Sequence, residues 1–522
     1  MQAASGAVIG GLSVSIALAI WWGISALINP VRFPRPDEFI AAAIQIARDG
    51  YAGGTLLSHI LQSMKLALFG FLVAIGTAIP IGLAMGCSKT IAAIVGPIVS
   101  FIRPIPPLAW IPLAIIWFGL GDGAKIFVIW FTAFVPTLIN TLVGIRTLDP
   151  TMLAAARVHG AGGARMLFDV ILPGSAPLIF VGLRVSLQAS WMALVAAELI
   201  GAFFGLGRVL MTAAQDIFPA MIVVAMVAVA ASGAIMTYAL GLIERRCLRW
   251  AETASMSSAD THNADAKSLS LTMVSTASIV VAIGAWFALA QSGLLPKLLL
   301  PSPLDVASAM QHSFGSAFAG ATLPQHLAAS LVRFFAGFVL AVALGIPFGL
   351  LLGWVAPFRH AASPFFEAFR FIAPLAWVPF AALWFGVGIG GPILIVFSGA
   401  FSVCVVNTYR GARLTDPRLI EACRTMGAGS WRLLVDVMLP SAMPAIMAGV
   451  RIAAALGWQS LIGAELIVAS SGIGYLIVQG QSSIETPIVM AGMVTIGCVG
   501  LTIDWTLQFL GAQPRRIWMT AS

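Results

Sequence analysis

Arg103, Arg184, Arg370 and Arg451 stand inside long apolar stretches, and so do Glu198 and Glu465. An ionisable side chain in such surroundings is costly, and it marks either a buried ion pair or a path for a polar solute. Four arginines suit an anion. Other chemistry is missing. A phosphate-binding loop needs Gly, four residues, then Gly-Lys-Ser/Thr. The nearest stretch, GCSKT at 86–90, has Ser88 at the second Gly position and Leu83 at the first. There is no HExxH, no CxxC and no acidic metal cluster. Cys87, Cys247, Cys404, Cys423 and Cys498 lie far apart and read as small hydrophobes rather than disulfides or metal ligands. The chain therefore reads as no enzyme, with no metal and no cofactor of its own.

The elements that must position these charges are membrane spans. The chain has 522 residues, 60% of them hydrophobic and 9% charged, where a soluble domain runs at about 25% charged. Mean hydropathy is +0.99. So few charges cannot cover a water-facing surface, which excludes a soluble enzyme, a disordered chain and a nucleic-acid binder. The net charge of +8 fits basic cytoplasmic loops equally well. Runs long enough to cross a bilayer, about 20 residues, fall near 7–28, 60–86, 90–120, 124–147, 175–200 and 219–243. The first lacks a basic leader and is expected to be a retained span. A polar, Ser- and Asp-containing stretch, 251–270, reads as a linker, and a second apolar series follows.

The second series copies the first. Adding 267 to a position carries Pro34 to Pro301, Pro80 to Pro347, Arg103 to Arg370, Trp110 to Trp377, Asn140 to Asn407, Glu198 to Glu465 and Gly207 to Gly474. Between 140–184 and 407–451, 21 of 45 residues are identical. Shared hydrophobicity would not hold Pro, Trp, Arg and Asp in register, so the chain is a tandem duplication. The expected fold is an all-α integral membrane protein of two six-helix repeats, about twelve spans. Residues 1–250 form one repeat and 271–522 the other, joined by the cytoplasmic linker 251–270.

Orientation follows from the basic loops. Arg146, Arg157 and Arg165 fall in one interior loop, and Arg413, Arg418, Arg424 and Arg432 in its copy, which puts both loops in the cytoplasm. Two copies face the same way only with an even number of spans, so both termini are expected there too. In the second loop Asp416 can cap a helix that has Pro417 at its first position, and Gly427 supplies the stop. Ser430 can then cap a short helix ending at Pro440. Asp149, Pro150, Gly160 and Pro173 repeat the pattern. Two helices joined by a Gly turn can be an ordinary loop or a docking element, and the registered duplication favours docking.

Glu421, Ala422, Gly427 and Leu439-Pro440 resemble the EAA loop of bacterial ABC importer permeases, which inserts into a cleft of the ATPase subunit. The stretch FIRPIPPLAWIPLAIIWFGLGDGAKI (101–126), its partner FRFIAPLAWVPFAALWFGVGIGGPI (369–393) and GLRVSLQASWMALVAAEL (182–199) are similar to spans of the nitrate, sulfonate and taurine importer permeases. One departure stands out: Ala154 occupies the place of Glu421. The resemblance implies a type I importer permease in the inner membrane and two separate ATPase subunits that carry the ATP and Mg. It also implies a periplasmic binding protein that delivers the solute. The coupling residues it implies are Asp149, Ala155, Arg157, Gly160 and Pro173 in one loop, and Asp416, Glu421, Ala422, Arg424, Gly427 and Pro440 in the other.

Arg103 lies 14 residues past Lys89, roughly 20 Å along a helix and near the bilayer midplane. Arg370 occupies the matching place, and Arg184 and Arg451, 11 residues past Pro173 and Pro440, read as half-way also. Two readings stand for them. They cap broken helices or pair with carboxylates, or they bound an anion's path together with Trp110 and Trp377. The rival to an ATP-driven permease is a secondary transporter or channel, for which the spans hold few carboxylates. Among importer substrates, sulfonate, taurine or nitrate agrees with the basic residues, and a pyrimidine or thiamine-precursor compound is the alternative.

Overall fold

The computed structural model describes residues 34–248 and 269–519 except residue 295, with a few positions between 19 and 26 and residue 250. Most of the expected first span and residues 251–268 of the expected linker lie outside the described residues. The first half runs α1 (Pro36–Arg48), α2 (Leu56–Cys87), α3 (Lys89–Ile102), α4 (Ile111–Phe118), α5 (Asp122–Arg146), α6 (Pro150–Val158), α7 (Leu172–Gly201), α8 (Leu206–Gln215) and α9 (Pro219–Cys247). The second half opens with α10 (Leu269–Gln291) and continues with α11 (Pro303–Gly315), α12 (Leu323–Trp354), α13 (Ala356–Phe371), α14 (Val378–Phe385), α15 (Gly390–Arg413), α16 (Pro417–Thr425), α17 (Leu439–Val468), α18 (Ile473–Ser482) and α19 (Thr486–Met519). Most helices of the two series start 267 residues apart, so the register seen in the sequence is a register of elements. No strand occurs among the described residues, apart from two isolated bridges, Tyr51 with Gly54 and Phe318 with Ala321. This is the all-α tandem architecture expected, because only helices satisfy their own backbone polar groups in lipid.

Eight of these helices are long and apolar enough to cross a membrane, and two bent pairs bring the number to ten. The bent pairs correct one expectation. The run at 90–120 is not a continuous span: Lys89–Ile102 and Pro107–Phe118 meet at 84°, and their copies in the second half meet at 86°. The cause is local. A residue before proline is pushed out of the α region, and Pro106 (ψ 137°) and Ala373 (ψ 134°) are extended before Pro107 and Pro374. Each proline then opens a 3-10 turn, Pro107–Trp110 or Pro374–Trp377, that starts the second helix of the bent pair.

Small residues allow close helix packing where lipid gives little hydrophobic drive. Ala67, Ala74 and Ala78 of α2 and Ala133 of α5 are fully buried. The core is continuous across the two halves, taking in Leu108, Leu194 and Met221 from one and Leu375, Leu461 and Ile462 from the other. The halves interlock. The Pro107–Trp110 turn packs on α17, the Pro374–Trp377 turn packs on α7, and α10 packs along α3. Trp117 Nε1 donates to the Leu299 carbonyl of the other half at 2.7 Å.

Candidate translocation pathway and coupling loops

The loop between α5 and α7 and its copy between α15 and α17 follow the capping grammar of their sequences. The Asp149 carboxylate accepts from the Thr151 N–H at 2.8 Å, and Asp416 accepts from Arg418 N–H at 2.9 Å. Asp149 also accepts from the Thr151 hydroxyl. These two donors hold the Asp149 carboxyl below its ordinary range. Gly160 (φ +79°) and Gly427 (φ +84°) end α6 and α16 in the left-handed region that suits glycine. No residue of either helix is buried. Ala155, Arg157, Glu421, Ala422 and Arg424 are all exposed, and Val158 and Met426 present apolar surface at 86% and 78% exposure.

After each loop the chain departs from expectation. No helix ends at Pro440. Ser430–Val468 runs as one 39-residue element, as does Gly163–Gly201. Each contains a π-helical turn, Met166–Ile171 or Leu433–Met438, immediately before Leu172 or Leu439. Pro173 and Pro440, both half-buried, sit just past the seam where the hydrogen-bond pattern changes, so their missing N–H does not break the helix.

Further along the spans the two 3-10 turns converge. Leu108 and Leu375 are both buried, and both approach Gly463 of α17 so closely that a Cβ there would lie 2.7 and 2.6 Å from their methyl carbons. Trp110 packs on Phe127 and Phe131, and Trp377 on Phe369 and Phe380. Neither indole N–H has a hydrogen-bond partner among the described residues.

The four arginines are not brought into one cluster. Arg370 pairs with Glu367, one turn earlier, at 2.5 Å. Arg184 pairs with Glu244, which lies in the last turn of α9. Arg451 makes a two-pronged pair with Asp504 of α19, Nε to Oδ1 at 2.5 Å and Nη2 to Oδ2 at 3.0 Å. Arg103 is exposed and makes no hydrogen bond or ion pair among the described residues. It lines a cavity of about 400 Å³ with Ser100, Arg451, Trp458 and Asp504. Its register mate, of about 270 Å³, is lined by Arg370, Gln188, Trp191, Thr237 and Asn407. Each cavity lies where the broken span of one half meets helices of the other.

Sequence reasoning noticed Glu198 and Glu465 but not what surrounds them. Both are 1% exposed. Glu198 accepts from Ser63 Oγ at 2.8 Å and from the Gly207 N–H at 2.8 Å. His59 Nδ1 accepts from the Gly205 N–H, so its Nε2 carries the proton and donates to the Tyr51 carbonyl. Ser330, Gly474, His326, Gly472 and Phe318 repeat the cluster around Glu465. These contacts clasp the turn after α7 or α17 to the start of α2 or α12. Gly205 (φ +126°) and Gly472 (φ +112°) are needed there, since a Cβ would lie 2.3 or 2.2 Å from a carboxylate oxygen. The second copy adds Arg333, 2% exposed, whose Nη1 donates to Glu465 at 2.9 Å; the first has Leu66 at that place. The 267-residue register pairs His59 with His326 and Ser63 with Ser330, which was the available signal.

With this geometry in hand, comparison with known proteins identifies the architecture. A model of the family described as binding-protein-dependent transport system inner membrane component matches twice, over residues 76–249 and 345–515. The chain is 34% identical over 241 residues to the taurine transport system permease protein of Escherichia coli, covering 46% of this chain and 88% of that one. It is 33% identical over 248 residues to a putative aliphatic sulfonates transport permease protein of Bacillus subtilis, covering 46% and 87%. It is 34% identical over 200 residues to the nitrate import permease protein of Synechococcus elongatus, covering 37% and 71%. Each relative is thus matched over most of its length by less than half of this chain, as a doubled permease requires. The chain is a multi-pass inner membrane protein and belongs to the family of binding-protein-dependent transport system inner membrane components.

Proposed function

We propose that this chain is the whole permease of an ATP-driven ABC importer, one polypeptide supplying both walls of the path. In this reading both coupling loops and both termini lie in the cytoplasm. Two ATPase subunits, holding the ATP and Mg, grip α6 and α16. Their closure on ATP draws the loops together, and the long helices that begin at the π turns carry the motion to the converging turns at Leu108 and Leu375. A periplasmic binding protein supplies the solute on the opposite side. The observation that carries the reading is the pair of register-matched helix–Gly–helix loops with no buried residue in either first helix and exposed apolar side chains on both. A helix that exposes Val158 or Leu419 to water gains by being covered.

The solute proposed is a small anion of the sulfonate, taurine or nitrate type. Support comes from the names of the relatives and from the arginines along the path. Co-purification with an ATPase, followed by Glu421→Lys and Gly427→Asp, tests the coupling. Each variant is expected to lose ATPase binding and at least about tenfold of uptake, a change of about 1.4 kcal/mol or more. Unchanged binding and uptake overturn the docking role. Uptake into vesicles that follows an ion gradient and ignores ATP overturns the importer itself.

A further inference from the structure

We propose that the cleft formed by residues 103–107 with α17 and α19 is the one anion-holding station of the pathway, and that the register-matched cleft of the other half is not. The ligand is an oxyanion head group, planar or tetrahedral, on a small solute. The proposal rests on the anion-import reading above and deepens it. What carries it is a difference between two clefts that the duplication first made alike.

Arg370 is neutralised by Glu367, three residues earlier on the same helix. The register mate of Glu367 is Ser100, so Arg103 has no such partner on its own helix. Across the cleft Arg451 commits Nε and Nη2 to Asp504, and Asp504 Oδ2 also accepts from Gln508 Nε2 at 3.0 Å. Both carboxylate oxygens are therefore engaged, while Arg451 Nη1 and the whole Arg103 guanidinium keep their donors. Two cations and one anion leave this cleft a net charge of +1. In the other cleft Thr237 stands in the place of Asp504, and Arg184, the mate of Arg451, has turned away to Glu244. Its one arginine is balanced, and Gln188 and Asn407 are neutral.

The charged cleft is also the larger, about 400 against 270 Å³. The apolar part of its wall includes Ala454, Trp458 and the prolines at 104, 106 and 107, which carry no charge to offset the two guanidiniums. A fork of N–H donors in a fixed plane matches oxyanion geometry better than an ammonium would. The duplicated permease thus holds its solute off the pseudo-symmetry axis, on one side.

Local potential can be read without knowing the solute. Ala455 and Gln188 are register mates, both exposed and each lining its own cleft. The full chain with its five cysteines replaced by serine receives a single cysteine through Ala455→Cys or Gln188→Cys. Reaction rates are then measured with an anionic sulfonatoethyl and a cationic trimethylammonioethyl thiosulfonate. The anionic-to-cationic ratio is expected to be at least about fivefold higher at 455 than at 188, and Ser100→Glu should abolish the difference. Ratios within twofold of each other, or a ratio at 455 that ignores Ser100→Glu, overturn the proposal.

Transport supplies the second arm. The chain reconstituted with its ATPase and binding protein is assayed with labelled ethanesulfonate and nitrate. Ser100→Glu and Arg103→Gln are expected to lower uptake at least about fivefold while the complex still assembles, and Glu367→Ser to stay within twofold. Equal losses on both sides overturn the one-sided station. A wild-type complex that imports neither probe with ATP overturns the anion-import reading, and the station with it. A wild-type complex that imports them while the cysteine ratios are equal overturns the station alone.

Discussion

Glu465 is held by Ser330, the Gly474 N–H and Arg333, all deep in the bundle, and the energetics of that group are unforgiving. Removing one partner of a buried ion pair leaves a charge with no water to turn to, at a cost of about 3–5 kcal/mol. Arg333→Leu is therefore expected to lower the thermal midpoint of the detergent-solubilised protein strongly. Arg333→Leu with Glu465→Gln should recover most of that loss, because the amide carries no charge to strand. A double variant no more stable than the single would contradict this account. Gly472→Ala attacks the same cluster from the backbone side. Its Cβ would lie 2.2 Å from the Glu465 carboxylate at a φ of +112°, so a loss of at least about 3 kcal/mol is expected in the same unfolding measurement. The sequence made the two carboxylates visible and left Arg333 unread, because an arginine in an apolar run does not announce its partner.

The two capped loops show how an element is held by few bonds. α6 spans nine residues, buries none of them and is closed at its start by Asp149. A helix this short has little stability of its own, so its cap matters. The Asp149 carboxyl lies below the ordinary value of 3.8 because the Thr151 donors favour the charged form. A depressed acid contributes stability that is fully present above the unfolded value and is lost as pH falls through the folded one. Protection of α6 against hydrogen exchange, taken relative to the intrinsic rate at each pH, should thus hold steady between pH 7 and 5 and fall below about pH 4. Thr151→Val should bring fraying to α6 without acid, through the lost hydroxyl. An α6 that frays equally at pH 6 and pH 3.5 would contradict the cap. Capping residues, Pro and Gly made these helices readable in advance. The π turns were not, since they arise from the way Pro173 and Pro440 join a long span rather than from any local signal.

At the scale of the whole molecule, two permease copies in one chain interlock through their broken spans. The Pro107–Trp110 turn lies on α17 and the Pro374–Trp377 turn on α7, and α10 runs along α3. The two halves share one continuous core. Residues 1–250 and 251–522 expressed as two chains are expected to co-purify in a one-to-one complex by size-exclusion chromatography, and each alone to aggregate. A stable solitary half would show that the shared core is dispensable. Fusion also frees the copies to diverge, as Leu66 against Arg333, Ser100 against Glu367 and Ala154 against Glu421 have done. A protein assembled from two identical chains could not keep such differences.

The sequence alone determined the membrane class, the duplication and its constant offset, and the capped helices of the loops. Each of these is local or periodic: hydropathy over a span, identity at a fixed interval, a cap beside its own helix. The 84° break of the third span was latent in Pro104, Pro106 and Pro107, but only packing between the halves made it a crossing point at Leu108 and Leu375. Tertiary structure alone decided which charges meet. Arg184 took Glu244, 60 residues away, and Arg451 took Asp504, 53 residues away. Arg103 kept its charge open to a cavity. Such pairings depend on which helix faces which after folding, and no spacing along the chain encodes that.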